Sequence, residues 1–326
     1  MTLTRRALLT LAVAGSVAAM PAAAQTFPIP GKPIRIVVPF PAGGQTDIQA
    51  RFLAQRMQTA LGNSVVVDNK SGASTIIGTQ DVIRSAPDGH TILYTIAVTG
   101  AQNPHLFSKL PYDPLKDLTP VMFAARSGTV LVVPASSPFK TVRELIDHAR
   151  ANPGKLNFGS FSLGSTSHLN GELLKINAGI DIVHVPFRGS ADAIVALLGG
   201  QVQMLFDGPT TALTNAAAGK VRMLGVANTP NFGPLKSVPT MAEAGVPGLD
   251  ISGGMQFFGP AGMSRDVLQR VNAALAAALK TPEAEKLYLE GGTEIVASSP
   301  EEHTRLFRDQ YERWGAIIRK LNIKLD

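Results

Sequence analysis

The stretch Pro33-Ile34-Arg35-Ile36-Val37-Val38-Pro39-Phe40-Pro41-Ala42-Gly43-Gly44-Gln45-Thr46-Asp47 constrains this chain more than any other. Apart from Arg35, the residues from Ile34 to Val38 are apolar and β-branched, the pattern of a short strand buried on both faces. Pro39 and Pro41 end it, because neither can donate to a sheet ladder. Gly43-Gly44 follows, and Thr46 or Asp47 can cap a helix that starts at once. Ile48, Phe52, Leu53, Met57 and Leu61 recur at helical spacing, and Gly62-Asn63 supplies the stop. A buried strand, a glycine pair and a helix N-terminus in succession present outward N–H groups with no internal partner, which suits a small anion. The same features also make a plain strand-to-helix turn whose glycines only satisfy φ > 0. Taken alone, the stretch leaves both open.

Residues 1–24 read as a targeting segment. Arg5-Arg6 form a basic start, Ala7 to Ala19 is an apolar run, and Ala22-Ala23-Ala24 offers small residues for cleavage before Gln25. Thr4-Arg5-Arg6-Ala7-Leu8-Leu9 resembles a twin-arginine signal, although ordinary secretory signals also carry paired arginines. The chain is therefore expected to be exported. Two of the 30 basic residues and none of the acidic ones lie in this segment, so the formal charge falls from +6 to +4. That mild, scattered balance argues against a nucleic-acid partner. There are 0 cysteines, which excludes a disulfide framework, a thiolate nucleophile and a lipid-modified cysteine.

Strand and helix patterns then alternate. Val65–Asn69 and His90–Ile96 read as strands, each opening into small residues, with a helix from Ile76 to Ser85 between them. Val121–Ala124 and Thr129–Val133 are further strands, and Thr141 with Glu144 forms a capping box. The pattern repeats with strands at Leu156–Ser160, Ile182–Phe187 and Val202–Asp207. A short capped helix at Pro239–Gly245 and a strand at Met255–Pro260 precede two C-terminal helices expected to pack on the first unit. The predicted organisation is a signal over 1–24, one lobe from 25–130 plus 228–326, and a second from 131–227. Small ligands bind in the cleft such a pair encloses.

Chemistry for catalysis is thin. The histidines never fall at i, i+4 of one another, no H-E-x-x-H occurs, and no nucleotide-binding glycine motif is present. No metal or cofactor is expected. Ser160-Phe161-Ser162-Leu163-Gly164 resembles a nucleophile elbow but lacks its leading glycine. An exported serine hydrolase using Ser162, Asp207 and His303 is the alternative this leaves. What recurs instead is small, hydroxylated loops at strand ends: Gly43 to Thr46, Ser71 to Ser74, Ser160 with Gly164 to Thr166, and Arg188 to Ser190. They supply N–H and O–H donors for a carboxylate, though Ser and Thr there are also ordinary helix caps. Asp47 suits a helix N-terminal charge, and His168 a solvated or capping role, as well as ligand contact. Asp207 and Arg188 are evenly balanced between cleft and structural roles. Phe40, Phe161 and Phe257 can line a cleft or fill a core.

These residues resemble a known family. Val37 to Asp47 is similar to the first-loop signature of the Bug proteins, the extracytoplasmic solute receptors of tripartite tricarboxylate transporters. The similarity continues through Asn69 to Ala73, Ser85 to Thr91, Tyr112 to Pro114, Gly164 to Leu169, His184 to Gly189, Leu198 to Val202 and Ser237 to Thr240. The resemblance implies an α/β, two-lobe fold of the periplasmic-binding-protein type II, each lobe a mixed, mostly parallel sheet flanked by helices. It implies a monomeric receptor, not an enzyme, that closes on a small carboxylate and delivers it to membrane permease subunits. Carried onto this chain, the family's ligand contacts are Phe40, Ala42, Gly43, Gly44, Thr46 and Asp47 in the first loop. Ser71, Gly72, Ala73 and Ser74 follow in the second, and Ser160, Ser165, Thr166, His168, Arg188 and Asp207 in the other lobe. Ser71 to Thr75 departs from the family, in which many members carry proline and further glycines there.

Overall fold

Strand β1 (Ile34–Val38) is buried on both faces. Ile34, Ile36 and Val38 point into one apolar cluster, while Val37 joins Leu93, Phe258 and Phe307 on the other side of the sheet. Arg35 is tolerated among them because its Nη1 lies 2.9 Å from Asp68 Oδ2 and 2.7 Å from Asp81 Oδ2. The computed structural model describes residues 27–227, 232–250 and 253–325, so the segment expected over 1–24 lies outside the described residues.

The first run continues with α1 (Gln45–Leu61), β2 (Val65–Asn69), α2 (Ile76–Ile83) and β3 (Thr91–Thr95). A π-helical turn (Val98–Gln102), α3 (Asn103–Leu106), α4 (Pro114–Asp117) and β4 (Leu118–Ser127) complete it. The second run holds β5 (Thr129–Pro134), α5 (Val142–Ala151), β6 (Asn157–Ser160), α6 (Thr166–Ala178) and β7 (Val183–Pro186). It closes with α7 (Ser190–Leu198), β8 (Met204–Asp207), α8 (Pro209–Ala217) and β9 (Val221–Ala227). The chain ends in β10 (Gly253–Pro260), α9 (Arg265–Leu279), α10 (Pro282–Glu290), β11 (Glu294–Ile295) and α11 (Pro300–Leu321).

Two sheets result, ordered β11-β4-β10-β3-β1-β2 and β7-β6-β8-β5-β9. Each has three parallel strands, then an antiparallel strand that has just crossed from the other sheet: β10 in the first, β5 in the second. The two-lobe α/β fold is therefore present, with one topology used twice. The crossings lie side by side, since Gly253 pairs with Ser127 in the ladder. Close helix packing against the second sheet rests on Gly171 of α6, where a Cβ would stand 1.9 Å from the Phe158 ring.

Four expectations change. The return crossing was expected after residue 227. Instead Leu235, Val238, Met241, Val246 and Leu249 are buried in the second lobe's clusters, and the chain rejoins the first sheet only at Gly253. Thr240 and Glu243 do form a reciprocal cap, but over a turn and not a helix. Helix α11 packs on both lobes: Trp314 and Ile318 share a cluster with Leu169 of α6, and Ile317 and Leu321 reach the second lobe's core. Finally, α1 starts at Gln45, ahead of Thr46 and Asp47, with Gly44 as its N-cap.

Candidate ligand-binding site

A cavity of about 60 Å³ sits between the lobes. Its wall comes from the loops after β1 (Phe40, Pro41), β3 (Ile96, Ala97), β6 (Phe161), β7 (Gly189) and β8 (Gly208), together with both crossings (Gly128, Gly253). These are carboxyl ends of parallel strands, where open α/β sheets place ligands. The lobes are shut around it. Gln102 Nε2 donates to Thr166 Oγ1 across the cleft at 2.9 Å, Ser74 Oγ donates to the Leu163 carbonyl, and a Cβ on Gly189 would stand 3.0 Å from Pro41.

Three of the four helix starts at this cavity lack a side-chain cap; the fourth, α6, is capped by Ser165. Helices α1, α7 and α8 begin at its wall with N-caps Gly44, Gly189 and Gly208, and none has a side-chain cap. Helices α5, α9, α10 and α11 begin away from it, capped by Thr141, Ser264, Thr281 and Ser299. The backbone does not demand these glycines: φ is −84° at Gly44, −178° at Gly189 and −64° at Gly208, angles open to any residue. At α1 and α7 no N-cap side chain takes up the first-turn N–H groups, whereas at α8 the Gly208 N–H already donates to Asp207 and Pro209 has none; each start also presents the positive end of its helix dipole. Helix α6 adds Thr166, whose Oγ1 accepts from Gln102 and keeps its own O–H to donate.

Phe40, Ile96, Phe161 and Met255 supply large apolar side chains to the wall, and Gln45, Thr46, Ser127, Thr129 and Ser190 supply polar ones. Among the described residues, no Lys, Arg or His lines it. Asp207 lies just behind, fully buried, accepting from Gly208 N at 2.8 Å and from Thr211 Oγ1 at 2.6 Å. Burial pushes its carboxyl up to about 6, against the lowering effect of hydrogen bonds from Thr211, Ser190 and Gly208. Donors converging without a cationic side chain can hold a carboxylate and orient it, but offer no group to transform it.

The structure brings Phe40, Gly44, Thr46 and Thr166 to this wall. Ser71, Gly72, Ala73, Ser74 and Arg188 line a second space of about 420 Å³, which Phe40 also borders. Ala42 and Gly43 line neither. The other expected contacts are built into the wall behind. Asp47 accepts from Gly43 N at 2.9 Å and pairs with Arg51 and Asn69. Burial would raise its carboxyl, but those bonds outweigh it and hold it below the usual range. Ser165 caps α6. His168 Nδ1 accepts from Gly164 N, and its ring stacks on His184 at 3.8 Å, with Ser160 Oγ 2.7 Å from His184 Nε2. Burial first, then the neighbouring charges, bring His168 down to about 4 and His184 to about 3. Asp207, as described, is spent on the α8 start.

Gln102, Ser127 and Thr129 were not expected at the site, and Gln45 and Ser190 were expected only as members of their donor loops. Gln45 Nε2 donates to Ser127 Oγ at 3.2 Å and Thr293 Oγ1 at 3.3 Å, tying the start of α1 to the crossing. Ser190 was legible as the first residue of a helix after a glycine; Gln102 carried no such signal.

The hydrolase alternative fails on geometry. A triad needs its members hydrogen-bonded in series. His303 is buried among Phe123, Phe258 and Phe307 with Nε2 on Gln256, Ser162 Oγ donates to Leu163 O, and Asp207 is held by Thr211 and Gly208.

Comparison with known proteins agrees. The family described as tripartite tricarboxylate transporter family receptor matches residues 49–323. A UPF0065 protein from the tcbD-tcbE intergenic region of Pseudomonas sp. (strain P51) is 40% identical over 291 residues, 89% of this chain and 86% of that protein. Rpa4515 of R. palustris, solved with adipate, superimposes with a TM-score of 0.87 at 34% identity, over 90% of this chain and 99% of that one. MatC of Rhodopseudomonas palustris, solved with bound malate, gives 0.84 at 29% identity, over 89% and 100%. These relatives are solute-binding proteins, not enzymes. The chain belongs to the family of tripartite tricarboxylate transporter receptors, the periplasmic solute-binding proteins that the first-loop signature resembles.

Proposed function

We propose that this protein captures a small carboxylate between its lobes in the periplasm and delivers it, as a monomer, to the membrane permease of a tripartite tricarboxylate-type transporter. The observation that carries this reading is the convergence of three glycine-led helix starts, none with a side-chain cap, on one cavity between the lobes. A carboxylate there receives first-turn N–H bonds from α1 and α7, where no N-cap side chain competes, with the dipoles of α1, α7 and α8 adding attraction. The apolar wall of Phe40, Ile96, Phe161 and Met255 takes the ligand's carbon body. Gly44, Thr46 and Thr166 are the direct contacts in this reading. Ser71 to Ser74 and Arg188 border the larger interlobe space, while Asp47, Ser160, Ser165, His168 and Asp207 hold the loops. The adipate and malate found in relatives support the ligand class, and the segment 1–24 supports export.

A thermal-shift screen of residues 25–326 tests it. Ligands that bind only the folded state raise the melting temperature by mass action. Acids such as adipate or malate should raise it and their amides should not. Equal shifts from acids and amides would refute the anion site.

A further inference from the structure

We propose that Ser74 is a positioning residue of the binding cycle: a latch in the first lobe that holds the cleft shut by donating to the Leu163 carbonyl of the second, preset by an unusual stretch of left-handed backbone. The proposal rests on the reading that the lobes close around a ligand, and it names what regulates that closure.

The backbone evidence is local and specific. Gly72, Ala73, Ser74 and Thr75 have φ of +132°, +45°, +51° and +75° in succession. Such angles are costly for residues with a Cβ, and most of all for a β-branched one, so they persist only where the surroundings fix them. Here the surroundings belong to the first lobe. Asn103 Nδ2, on a fully buried side chain, donates to Ser74 O at 2.7 Å, and Thr99 Oγ1 donates to Thr75 Oγ1 at 2.9 Å. Both donors come from the π-helical turn and the start of α3, so the left-handed run needs nothing from the other lobe to stay in place.

What the run accomplishes is to aim the Ser74 hydroxyl across the cleft. Its strong acceptor is Leu163 O, whereas the acceptor available within its own lobe, Asn103 Oδ1, is 3.4 Å away. The receiving loop is shaped for the approach. At Gly164, whose φ is +73°, a Cβ would stand 2.7 Å from Leu106 Cδ1 and 2.9 Å from Leu325 Cδ1, both first-lobe atoms, so glycine lets the loop approach without those side chains shifting. Parting the lobes takes the short bond away and leaves the hydroxyl with the long one. Because the donor is already in position, forming the bond costs little further ordering. The same residues, with Arg188, border the larger interlobe space that Phe40 also lines.

The absence of cysteine permits a direct test by double spin labelling. Ile77→Cys in α2 and Val195→Cys in α7 carry the labels, since both side chains are exposed, 52% and 68%. Interlobe distances are recorded for the otherwise wild-type protein, Ser74→Ala and Ala73→Gly, each alone and with saturating adipate or malate. Ser74→Ala should lower the closed-to-open ratio about fivefold, the value of one ordinary hydrogen bond. Ala73→Gly, which eases the backbone in either state, should leave the ratio unchanged and raise the melting temperature. Superimposable distributions for wild type and Ser74→Ala overturn the proposal. So does an equal shift in Ala73→Gly, which assigns the effect to backbone and not hydroxyl. If neither acid moves any variant, the carboxylate reading fails by itself, and the ligand-free distributions still decide for or against Ser74.

Discussion

Gln102 of the first lobe and Thr166 of the second meet in a buried hydrogen bond of 2.9 Å. Because Thr166 also lines the cavity, the bond couples closure of the lobes to the ligand site. Gln102→Ala should weaken carboxylate binding about fivefold, one ordinary hydrogen bond's worth. Thr166→Val should cost more, since it removes the donor to the ligand as well. Calorimetric titration of both singles and the double checks this: the double should fall short of the summed effects, and full additivity would place the two residues in separate roles.

Gly44→Asp separates fold from function. Aspartate is a good N-cap where glycine is a tolerable one, and φ of −84° accommodates it, so stability should rise by a few tenths of a kcal/mol. Its carboxylate would occupy the N–H groups reserved for the ligand and repel a second anion, so binding should be lost. Chemical denaturation paired with titration reads both effects. Binding that survives in a stabilised Gly44→Asp would show that the ligand does not use the α1 start.

Acid should destabilise the fold earlier than its carboxylates would suggest. Burial holds His168 at about 4, His184 at about 3 and His303 at about 3, below the usual 6.5. Each contributes stability that is present above 6.5 and is lost as pH falls toward its folded value, because the unfolded chain takes the proton first. Asp207, raised from 3.8 to about 6, works the other way over much of that window. The net difference near pH 5 is two protons, so unfolding free energy should drop about 3 kcal/mol per pH unit there. Denaturation curves between pH 7 and 4 measure the slope. A flat profile would contradict the buried, neutral state of these imidazoles.

Gly171→Ala should cost about 1–3 kcal/mol, since the added methyl must displace the Phe158 ring and overpacking carries that range. A thermal melt suffices to check it. An unchanged melting temperature would mean that α6 can lift from β6 freely.

The fold was largely legible because its elements are written locally. The Ile34 to Val38 pattern, the glycine stop at Gly62 and the Thr141 N-cap each name their own structure, although the Glu144 carboxylate accepts from Lys140 N and so does not close the expected box. The return crossing was not, because Met241, Val246 and Leu249 look the same in sequence whichever core they enter. At the site, the loops were readable and the direction of their side chains was not. Asp47 and His168 sit in the right loops, yet their polar atoms turn inward to Gly43 and Gly164. Gln102 lies in a π-helical turn far from any loop motif, and only the meeting of the lobes gives it a partner.

The most direct test of the central claim is calorimetric titration of residues 25–326 with adipate and malate, each beside its diamide, repeated on Gly44→Asp. The account predicts saturable binding of an acid by the wild type, none of the amide, and none of the acid by the variant. Binding of the amide as tightly as the acid, or unchanged acid binding by Gly44→Asp, would contradict a cavity built from uncapped helix starts.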